Sequence, residues 1–302
     1  MSYHELFVSH SNVFSGLQIS FEKADYMILG VPFDVTSTYR TGARFGPNAI
    51  RQASLNIETY SFRTGMDIKN LQLHDLGDLH ISIDTKKTLE RLELVIKDIL
   101  EAGKTPVTIG GEHTITSGVM KGLGSEASKM AVVSFDAHLD LRNEFLGMKF
   151  SHTTFMRRIN EEVKPAKIIE IGIRAVCKEE LRYAKKAGIE FFTTQQIRNK
   201  GIKPIVKQLK EKLANYENLY LSVDMDFLDP AYAPAVQNPE PEGLETHCLL
   251  EILCGIIDKR VIGFDVVEIS PEYDNGMSSV QAARIIFEVL CCLEKSRKLK
   301  IR

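Results

Sequence analysis

Short, almost wholly apolar runs alternate along the chain with longer amphipathic runs, and this alternation constrains the fold more than any other feature. Several of the apolar runs carry no polar residue on either face, which is typical of central parallel strands covered on both sides. The amphipathic runs repeat apolar residues at the three- and four-residue spacing of a helix. Alternation of this kind predicts an α/β fold with a parallel sheet between two sets of helices.

The predicted strands are the segments Tyr26–Val31, Val107–Ile109, Ala131–Phe135, Ile168–Ile173, Ile189–Phe192, Leu219–Val223 and Val261–Val267. The predicted helices are Leu89–Leu100, Lys178–Gly188, Ile205–Leu213 and Ser279–Leu293. Ligands bind such sheets beyond the carboxyl ends of the strands, so functional side chains are expected directly after predicted strands.

Composition narrows the functional class. The 302 residues contain no linker or repeat, so we expect one domain over residues 1–302. The 38 basic and 40 acidic side chains nearly cancel, which argues against a nucleic-acid partner. No run of 18 apolar residues is present, so no membrane partner is expected. Five cysteines without CxxC spacing, and a start without a signal-peptide pattern, predict buried thiols in a reducing cytoplasm. The charged end Lys295–Arg302 is expected to be a solvated tail.

The sharpest chemical signal follows the predicted strand Ala131–Phe135. Asp136, His138 and Asp140 alternate there, so in an extended chain their side chains would share one face. Two carboxylates and an imidazole at the end of a buried strand would repel and desolvate one another without a cation. The segment therefore indicates a metal site.

Three further strand ends carry similar groups. Asp224 and Asp226 follow Leu219–Val223, His113 follows two glycines after Val107–Ile109, and Glu268 follows Val261–Val267. A single aspartate after a strand is usually a helix cap, but four strand ends that are each followed by histidine or carboxylate side chains are hard to explain as caps. Two imidazoles and four aspartates exceed what one zinc takes, and they favour two harder divalent ions, Mn²⁺ before Mg²⁺.

On the basis of these segments, the chain resembles the ureohydrolases, the arginase and agmatinase family, from about Tyr26 to Asp274. The matching segments are Gly30–Asp34, Thr41–Pro47, Asp75–Asp78, Gly110–His113, Asp136–Asp140, Ser151–His152, Gly172–Arg174, Ser222–Pro230 and Asp265–Pro271. The resemblance implies a three-layer α/β/α fold of the arginase type, two Mn²⁺ ions per chain and a homo-oligomer, a trimer or hexamer.

The resemblance also implies a role for each site residue. His113 and Asp140 would bind one manganese, His138 and Asp226 the other, and Asp136 and Asp224 would bridge both. Glu268 would hold the substrate guanidinium, His152 would move protons to the leaving amine, and Asp140 would accept the proton of the attacking hydroxide.

The substrate is less constrained. Two polar positions that hold the arginine tail in arginases are Ala175 and Arg142 here, which favours agmatine and its products putrescine and urea. The run Asp140–Glu144 resembles the agmatinases of archaea and some bacteria. Arg142 would repel an ammonium tail if it pointed into the pocket, and would then favour a carboxylate tail, as in 4-guanidinobutyrate. Ala235–Asn238 replaces a glycine-rich family stretch expected near the site.

Other functions stay open at this stage. Within the ureohydrolases, aminopropyl-agmatine and, less favoured, arginine remain alternative substrates. A catalytically silent binding protein on the same fold would be expected to lack metal ligands, whereas all six are present here. A zinc deacetylase would use one metal and leave Asp140 and Asp224 without a role.

Overall fold

The computed structural model describes residues 2–9 and 12–298, and nine strands of this part form one sheet. The strands of the sheet are β1 Val8–Ser9, β2 Tyr26–Val31, β5 Leu73–Leu79, β6 Thr105–Gly110, β7 Met130–Phe135, β8 Lys167–Ile173, β9 Glu190–Thr193, β10 Asn218–Asp224 and β11 Val261–Val267. A separate hairpin pairs β3 Tyr60–Ser61 with β4 Met66–Asp67. The sheet order is β1-β5-β2-β6-β11-β10-β7-β8-β9, and only β1 runs antiparallel to its neighbour.

Helices cover both faces of this sheet. They are α1 Tyr3–Phe7, α2 Gly46–Ser54, α3 Thr85–Glu101, α4 Thr116–Gly122, α5 Phe155–Arg158, α6 Lys178–Ala187, α7 Thr194–Lys200, α8 Ile202–Leu213, α9 Thr246–Ile256 and α10 Met277–Lys298. Side chains of α2 and α7 to α10 pack into one apolar cluster, and those of α3 to α6 pack into another. Successive residues of β2 point to opposite faces of the sheet: Ile28 belongs to the first cluster and Leu29 to the second. The predicted three-layer α/β/α fold is therefore confirmed.

All seven predicted strands are present with bounds shifted by at most a few residues, but β1, β3, β4 and β5 were not predicted. The sequence of β5 breaks the apolar pattern with His74, Asp75, Gly77 and Asp78. Helices α1, α2, α4, α5, α7 and α9 were also not predicted. Short helices such as α4, which contains Gly118 and Gly122, carry too few apolar positions for a periodic signal.

The expected solvated tail is wrong for residues 295–298. These belong to α10, and Arg297 donates to Thr105 Oγ1 at 2.8 Å while its guanidinium lies 4.8 Å from the Tyr26 ring centre. Residues 299–302 lie outside the described residues. All five cysteines are free, with Cys177 and Cys254 partly exposed rather than buried. No helix in the described part of the chain is long and apolar enough to cross a membrane.

The topology places the four strand ends that precede the predicted site residues side by side. Strands β6, β11, β10 and β7 are consecutive in the sheet and parallel, so their carboxyl ends meet at one edge. A crevice lies at this edge, lined by residues that follow β7, β10 and β11. The sheet thus places the segments after residues 110, 135, 224 and 267 next to one another.

Candidate active site

The loop after β7 brings its three ligand-type side chains together by turning, not by extending the strand. β7 ends at Phe135, the Asp136 amide donates to Ile171 O at 2.9 Å, and Asp140 has a left-handed backbone with φ of 49°. The expectation that Asp136, His138 and Asp140 share one face of an extended chain is therefore wrong. The turn places Asp140 on the side of His113 and His138 on the side of Asp226, with Asp136 between them.

The segment after β10 is also not extended. Asp224 ends the strand, residues 225–227 form a 3₁₀ turn, and Asp224 Oδ1 accepts the Asp226 amide at 2.7 Å. This capping bond orients both carboxylates toward the crevice. Asp224 Oδ2 lies 3.0 Å from His113 Nδ1, and Asp226 Oδ2 lies 2.9 Å from His138 Nδ1.

His113 enters the crevice because the chain before it runs tightly against the loop after β2. A Cβ atom on Gly111 would lie 1.9 Å from Phe33 O, so only glycine permits this approach. The His113 ring is fully buried and stacks on Phe155 with ring centres 3.9 Å apart. Its Nε2 lies 2.8 Å from Ser222 Oγ, which in turn donates to Asp265 Oδ1 at 2.6 Å. Because these hydrogen bonds occupy Nε2, the nitrogen of His113 that faces the carboxylates is Nδ1.

Two overlapping groups of ligand-type atoms result. His113, Asp136 and Asp140 form one, and Asp136, His138 and Asp226 form the other, with the ligand atoms of each group within 4.8 Å of one another. Asp136 belongs to both groups and is fully buried, and its Oδ2 lies 3.1 Å from His113 Nδ1 with no hydrogen bond from any other described residue. A fully buried carboxylate surrounded by other carboxylates fits a bound cation. The donor set of carboxylates and imidazoles fits divalent ions that accept both oxygen and nitrogen.

The electrostatics of the protein alone agree with a missing positive charge. Burial, followed by the charges of Asp226 and Asp136, raises the pKa of Asp224 well above its ordinary value. Burial and the Asp136 charge raise the pKa of Asp140 in the same way. Burial lowers the pKa of His113, but its hydrogen bond to Asp136 and that charge outweigh burial and raise the pKa to about 9. Positive charge among these carboxylates is therefore favourable, as a bound cation would provide.

Glu268 stands beside this centre. Its backbone is left-handed, with φ of 73°, directly after β11, and its amide donates to Gly111 O at 2.9 Å. The carboxylate accepts the His113 amide at 2.6 Å, and burial followed by the Asp224 charge raises its pKa well above the ordinary value. A buried carboxylate that faces a cavity is suited to bind a cationic group.

His152 lies on another wall of the same cavity and is hydrogen-bonded at both ring nitrogens. Nδ1 lies 3.2 Å from Thr36 Oγ1, and Nε2 lies 3.2 Å from Thr38 Oγ1. Burial, together with the charges of His138 and His113, lowers its pKa to about 4. The imidazole is therefore neutral at neutral pH and can accept or relay a proton.

These groups line one cavity of about 280 Å³. Its lining includes five predicted site residues, His138, Asp140, Asp224, Asp226 and Glu268, together with the predicted proton carrier His152. His113 and Asp136 lie beneath the lining, since both are fully buried. The structure therefore brings all eight predicted site residues together.

The wall of the cavity around Arg142 contains both expected and unexpected residues. Arg142, Thr153 and Ala175 line it, and the Arg142 guanidinium lies 4.9 Å from the Phe145 ring centre. Of the loop 235–238, only Asn238 lines the cavity, while Ala235, Val236 and Gln237 are buried. The wall also contains two carboxylates that sequence reasoning missed, Glu180 and Glu240. Glu180 follows a helix start rather than a strand, so the search of strand ends could not find it.

Arg174 holds two loops of the site together. It donates to Asp226 O at 2.6 Å, Glu240 O at 2.9 Å and Pro241 O at 2.9 Å. One guanidinium thus ties the loop of the second ligand group to the loop that carries Glu240. Five N–H donors in a rigid fork make arginine suited to this role.

Comparison with known proteins places the geometry in context. The family model described as the arginase family matches residues 24–292. The agmatinase of Pyrococcus horikoshii is 34% identical over 275 residues, covering 90% of this chain and 93% of that protein. The guanidinobutyrase of Pseudomonas aeruginosa is 34% identical over 278 residues, covering 89% and 86%.

Solved structures give the same result at the level of the fold. The agmatine ureohydrolase of Thermoplasma volcanium superimposes with a TM-score of 0.86 at 35% identity, covering 93% of this chain and 94% of that one. The proclavaminate amidino hydrolase of Streptomyces clavuligerus superimposes with a TM-score of 0.87 at 29% identity, covering 96% and 99%.

Proposed function

Because the chain belongs to the arginase family, we propose that it is a manganese-dependent amidinohydrolase that converts agmatine into putrescine and urea. The observation that carries the proposal is the pair of ligand groups that share Asp136, next to the buried carboxylate of Glu268. Together they provide a place for two cations and for a planar guanidinium.

We assign one ion to His113 and Asp140 and the other to His138 and Asp226, with Asp136 and Asp224 shared. The membership of Asp136 in both ligand groups supports its sharing, and Asp224 lies beside the first group, with its Oδ2 3.0 Å from His113 Nδ1. Four carboxylates cancel the charge of two divalent ions, and the imidazoles favour Mn²⁺ over Mg²⁺. Such a pair of ions would supply a water acidic enough to attack at neutral pH.

The chain's own residues would orient the substrate and carry protons. Glu268 would accept hydrogen bonds from the guanidinium and hold its carbon over the ligand groups. His152 would take up a proton at Nε2, which lies on the cavity side beside Thr38, and then deliver it to the leaving nitrogen. Asp140 would take up the proton released during the attack. The delocalised guanidinium is a poor electrophile, so positioning contributes much of the rate.

Agmatine is supported by the charges left after the metals and the guanidinium are balanced. Two divalent ions offset four aspartates, and the guanidinium offsets Glu268. The remaining charged groups on the cavity wall are Arg142, Glu180 and Glu240, which sum to one negative charge. Arg142 stacks on Phe145, and Glu240 is partly exposed beside His138. A cationic tail is therefore favoured over an anionic one.

Arg142 also supports a second candidate, a guanidino acid such as 4-guanidinobutyrate. Its guanidinium lines the cavity, and in a bidentate pair it would hold a carboxylate tail. The guanidinobutyrase of Pseudomonas aeruginosa is as similar to this chain as the agmatinase of Pyrococcus horikoshii. Arginine itself is disfavoured, because Ala175 offers no polar group to its α-amino group.

The test is urea release by the Mn²⁺-loaded protein from agmatine, 4-guanidinobutyrate, aminopropyl-agmatine and arginine, in parallel with Arg142→Ala. Preference for agmatine that Arg142→Ala preserves supports the proposal. Preference for 4-guanidinobutyrate that Arg142→Ala removes establishes the second candidate. No urea from any of the four would move the protein to a silent or different class.

Metal analysis tests the centre separately from turnover. We expect two manganese ions per chain and a loss of metal in Asp136→Asn, because that residue serves both groups. One zinc per chain would instead favour the deacetylase alternative. Asn143→Asp, an exposed change in the same loop as Asp140, is the control that should retain both ions.

We further propose that residues 1–302 form one ureohydrolase domain, which works as a trimer or hexamer in the cytoplasm. The nine-stranded sheet, whose strands come from residues 8 to 267, supports the one-domain proposal. Mass photometry of the purified protein would measure the oligomeric state, and a uniform monomer would contradict it.

A further inference from the structure

We infer that Glu112 and Thr36 are positioning residues that hold His152 in one tautomer, with hydrogen on Nδ1 and the lone pair on Nε2. The inference rests on the proposed function, in which His152 carries protons in the cavity. Neither Glu112 nor Thr36 lines that cavity, and both are buried. They would therefore act through His152, without touching substrate.

The first step is the direction of the hydrogen bonds onto Glu112. The Thr36 hydroxyl donates to Glu112 Oε1 at 2.5 Å, and the Thr114 hydroxyl donates to the same oxygen at 2.5 Å. The Thr36 amide donates to the other oxygen, Oε2, at 2.7 Å. The carboxylate thus takes the single hydroxyl hydrogen that Thr36 possesses.

The second step follows from that commitment. With its hydrogen directed at Glu112, Thr36 Oγ1 can only accept toward His152. Two nitrogens of His152 meet this oxygen, the backbone amide at 3.2 Å and the ring Nδ1 at 3.2 Å. A nitrogen that faces an acceptor must carry hydrogen, so the arrangement selects the Nδ1–H tautomer.

The third step concerns the opposite nitrogen. Nε2 is left with its lone pair and lies 3.2 Å from Thr38 Oγ1, which lines the cavity. A base must present its lone pair to the group whose proton it takes, so the tautomer decides whether His152 can work. A carboxylate that fixes the tautomer of a histidine is an established way to orient a catalytic imidazole. Here a threonine hydroxyl lies between the two.

A purely structural role for Glu112 makes a different prediction. Glu112 could serve only to fasten residues 34–38 through the Thr36 amide and hydroxyl. Removal of the Thr36 hydroxyl would then change stability, and the tautomer and kcat would be unaffected. The two roles separate at Thr36, where Thr36→Ser keeps the hydroxyl and Thr36→Val removes it with little change in shape.

Glu112→Gln provides an independent perturbation. The Thr36 amide needs an acceptor at the Oε2 position, so the new NH₂ group would occupy the Oε1 position. It would then donate to Thr36 Oγ1 and release the Thr36 hydrogen toward His152 Nδ1. This substitution is expected to favour the opposite tautomer while it preserves the volume of the side chain.

The experiment combines steady-state kinetics of the Mn²⁺-loaded protein, metal analysis and neutron diffraction from crystals of the same loaded protein. We expect kcat to fall about ten- to a hundredfold in Thr36→Val and Glu112→Gln, with KM within about twofold and two metals retained. Thr36→Ser should recover most of kcat. Ser37→Ala is the matched control with unchanged kinetics, since its hydroxyl donates only to Asp34 O, at 3.0 Å. Neutron maps of the wild-type protein should show deuterium on His152 Nδ1.

Three outcomes would overturn the inference. They are deuterium on Nε2 in the wild-type protein, full kcat in Thr36→Val, or loss of metal in Glu112→Gln, which would assign Glu112 to the support of His113. If Thr36→Val fails to fold, the neutron maps and Glu112→Gln still decide. If wild-type protein releases no urea from any guanidino compound, the proposed function fails, while the neutron maps test the tautomer independently.

Discussion

Removal of the buried cation Arg51 is expected to destabilise the protein more than any single change on its surface. The Arg51 side chain is fully buried and bridges α2 to β5. Its Nε and Nη2 donate to the two oxygens of Asp75 at 2.8 Å each, and Nη1 donates to Asp78 Oδ1 at 2.5 Å. In Arg51→Met, the Asp75 carboxylate would remain buried without its cation.

The size of the effect follows from that geometry. Loss of one partner of a buried ion pair costs about 3–5 kcal/mol, because the remaining charge stays desolvated. The Asp75 side chain is only 2% exposed, whereas Asp78 is 23% exposed and can regain water. We therefore assign most of the loss to Asp75. For a chain of this size the loss corresponds to a decrease in Tm of about 5–10 °C.

The assay is denaturant unfolding followed by circular dichroism, in excess EDTA so that metal binding does not contribute to stability. Arg51→Lys, which keeps the charge but loses the planar fork, should lie between wild type and Arg51→Met. The control is Lys97→Met, because Lys97 pairs with Glu93 at 2.6 Å while 41% of the Lys97 side chain and 27% of the Glu93 side chain are exposed. That change should cost no more than about 1 kcal/mol. Equal losses in Arg51→Met and Lys97→Met would refute the reasoning.

Three other predictions concern the site and the thiols. Glu268→Gln should retain both metals but lower kcat/KM for agmatine by about a hundredfold, and unchanged kinetics would remove Glu268 from the guanidinium site. Burial raises the pKa of Cys248 to about 11 and of Cys291 to about 12, so at pH 8 a thiol reagent should modify them only after denaturant is added, as mass spectrometry of digests would show. The pKa of His152 in the folded protein is lowered to about 4, mainly by burial. Between pH 6.5 and 4 this histidine is therefore protonated in the unfolded chain but neutral in the folded protein, so acid favours unfolding. Acidification from pH 6.5 to 4 should therefore stabilise His152→Asn relative to wild type by up to about 3 kcal/mol in EDTA, and a constant difference would contradict this.

The sequence was sufficient to predict the layers of the fold because the central strands are apolar on both faces. The same reasoning explains the failure at β5, whose polar residues Asp75 and Asp78 look unlike a buried strand. They are tolerated there because Arg51, 24 residues earlier, neutralises them. Gly30 of β2 leaves the space, since a Cβ atom there would lie 1.9 Å from Asp78 Oδ1. A pairing at that separation has no local periodic signal.

The candidate site was predicted by residue type, and its geometry was not. Alternation along a strand predicted that Asp136, His138 and Asp140 would share a face of an extended chain, but the strand ends at Phe135 and the backbone of Asp140 is left-handed. The positive φ values of Asp140 and Glu268 arise from tertiary contacts, so local propensity could not predict them. The contact between Thr36 and Glu112 was not predicted either, because neither residue belongs to a metal-ligand pattern in the sequence.

The elements that carry the site residues also affect which substrate can be inferred. The groups proposed to act on the guanidinium lie directly after four consecutive strands, where the sheet fixes them to one another. The groups proposed to meet the tail, such as Arg142 and Glu240, lie on loops. Phe145 packs against Arg142, and Arg174 holds the loop that carries Glu240. A change in these loops can alter tail preference while the sheet keeps the metal ligands in place. Overall similarity therefore cannot separate agmatine from a guanidino acid, and the charge at Arg142 is the property whose removal separates them.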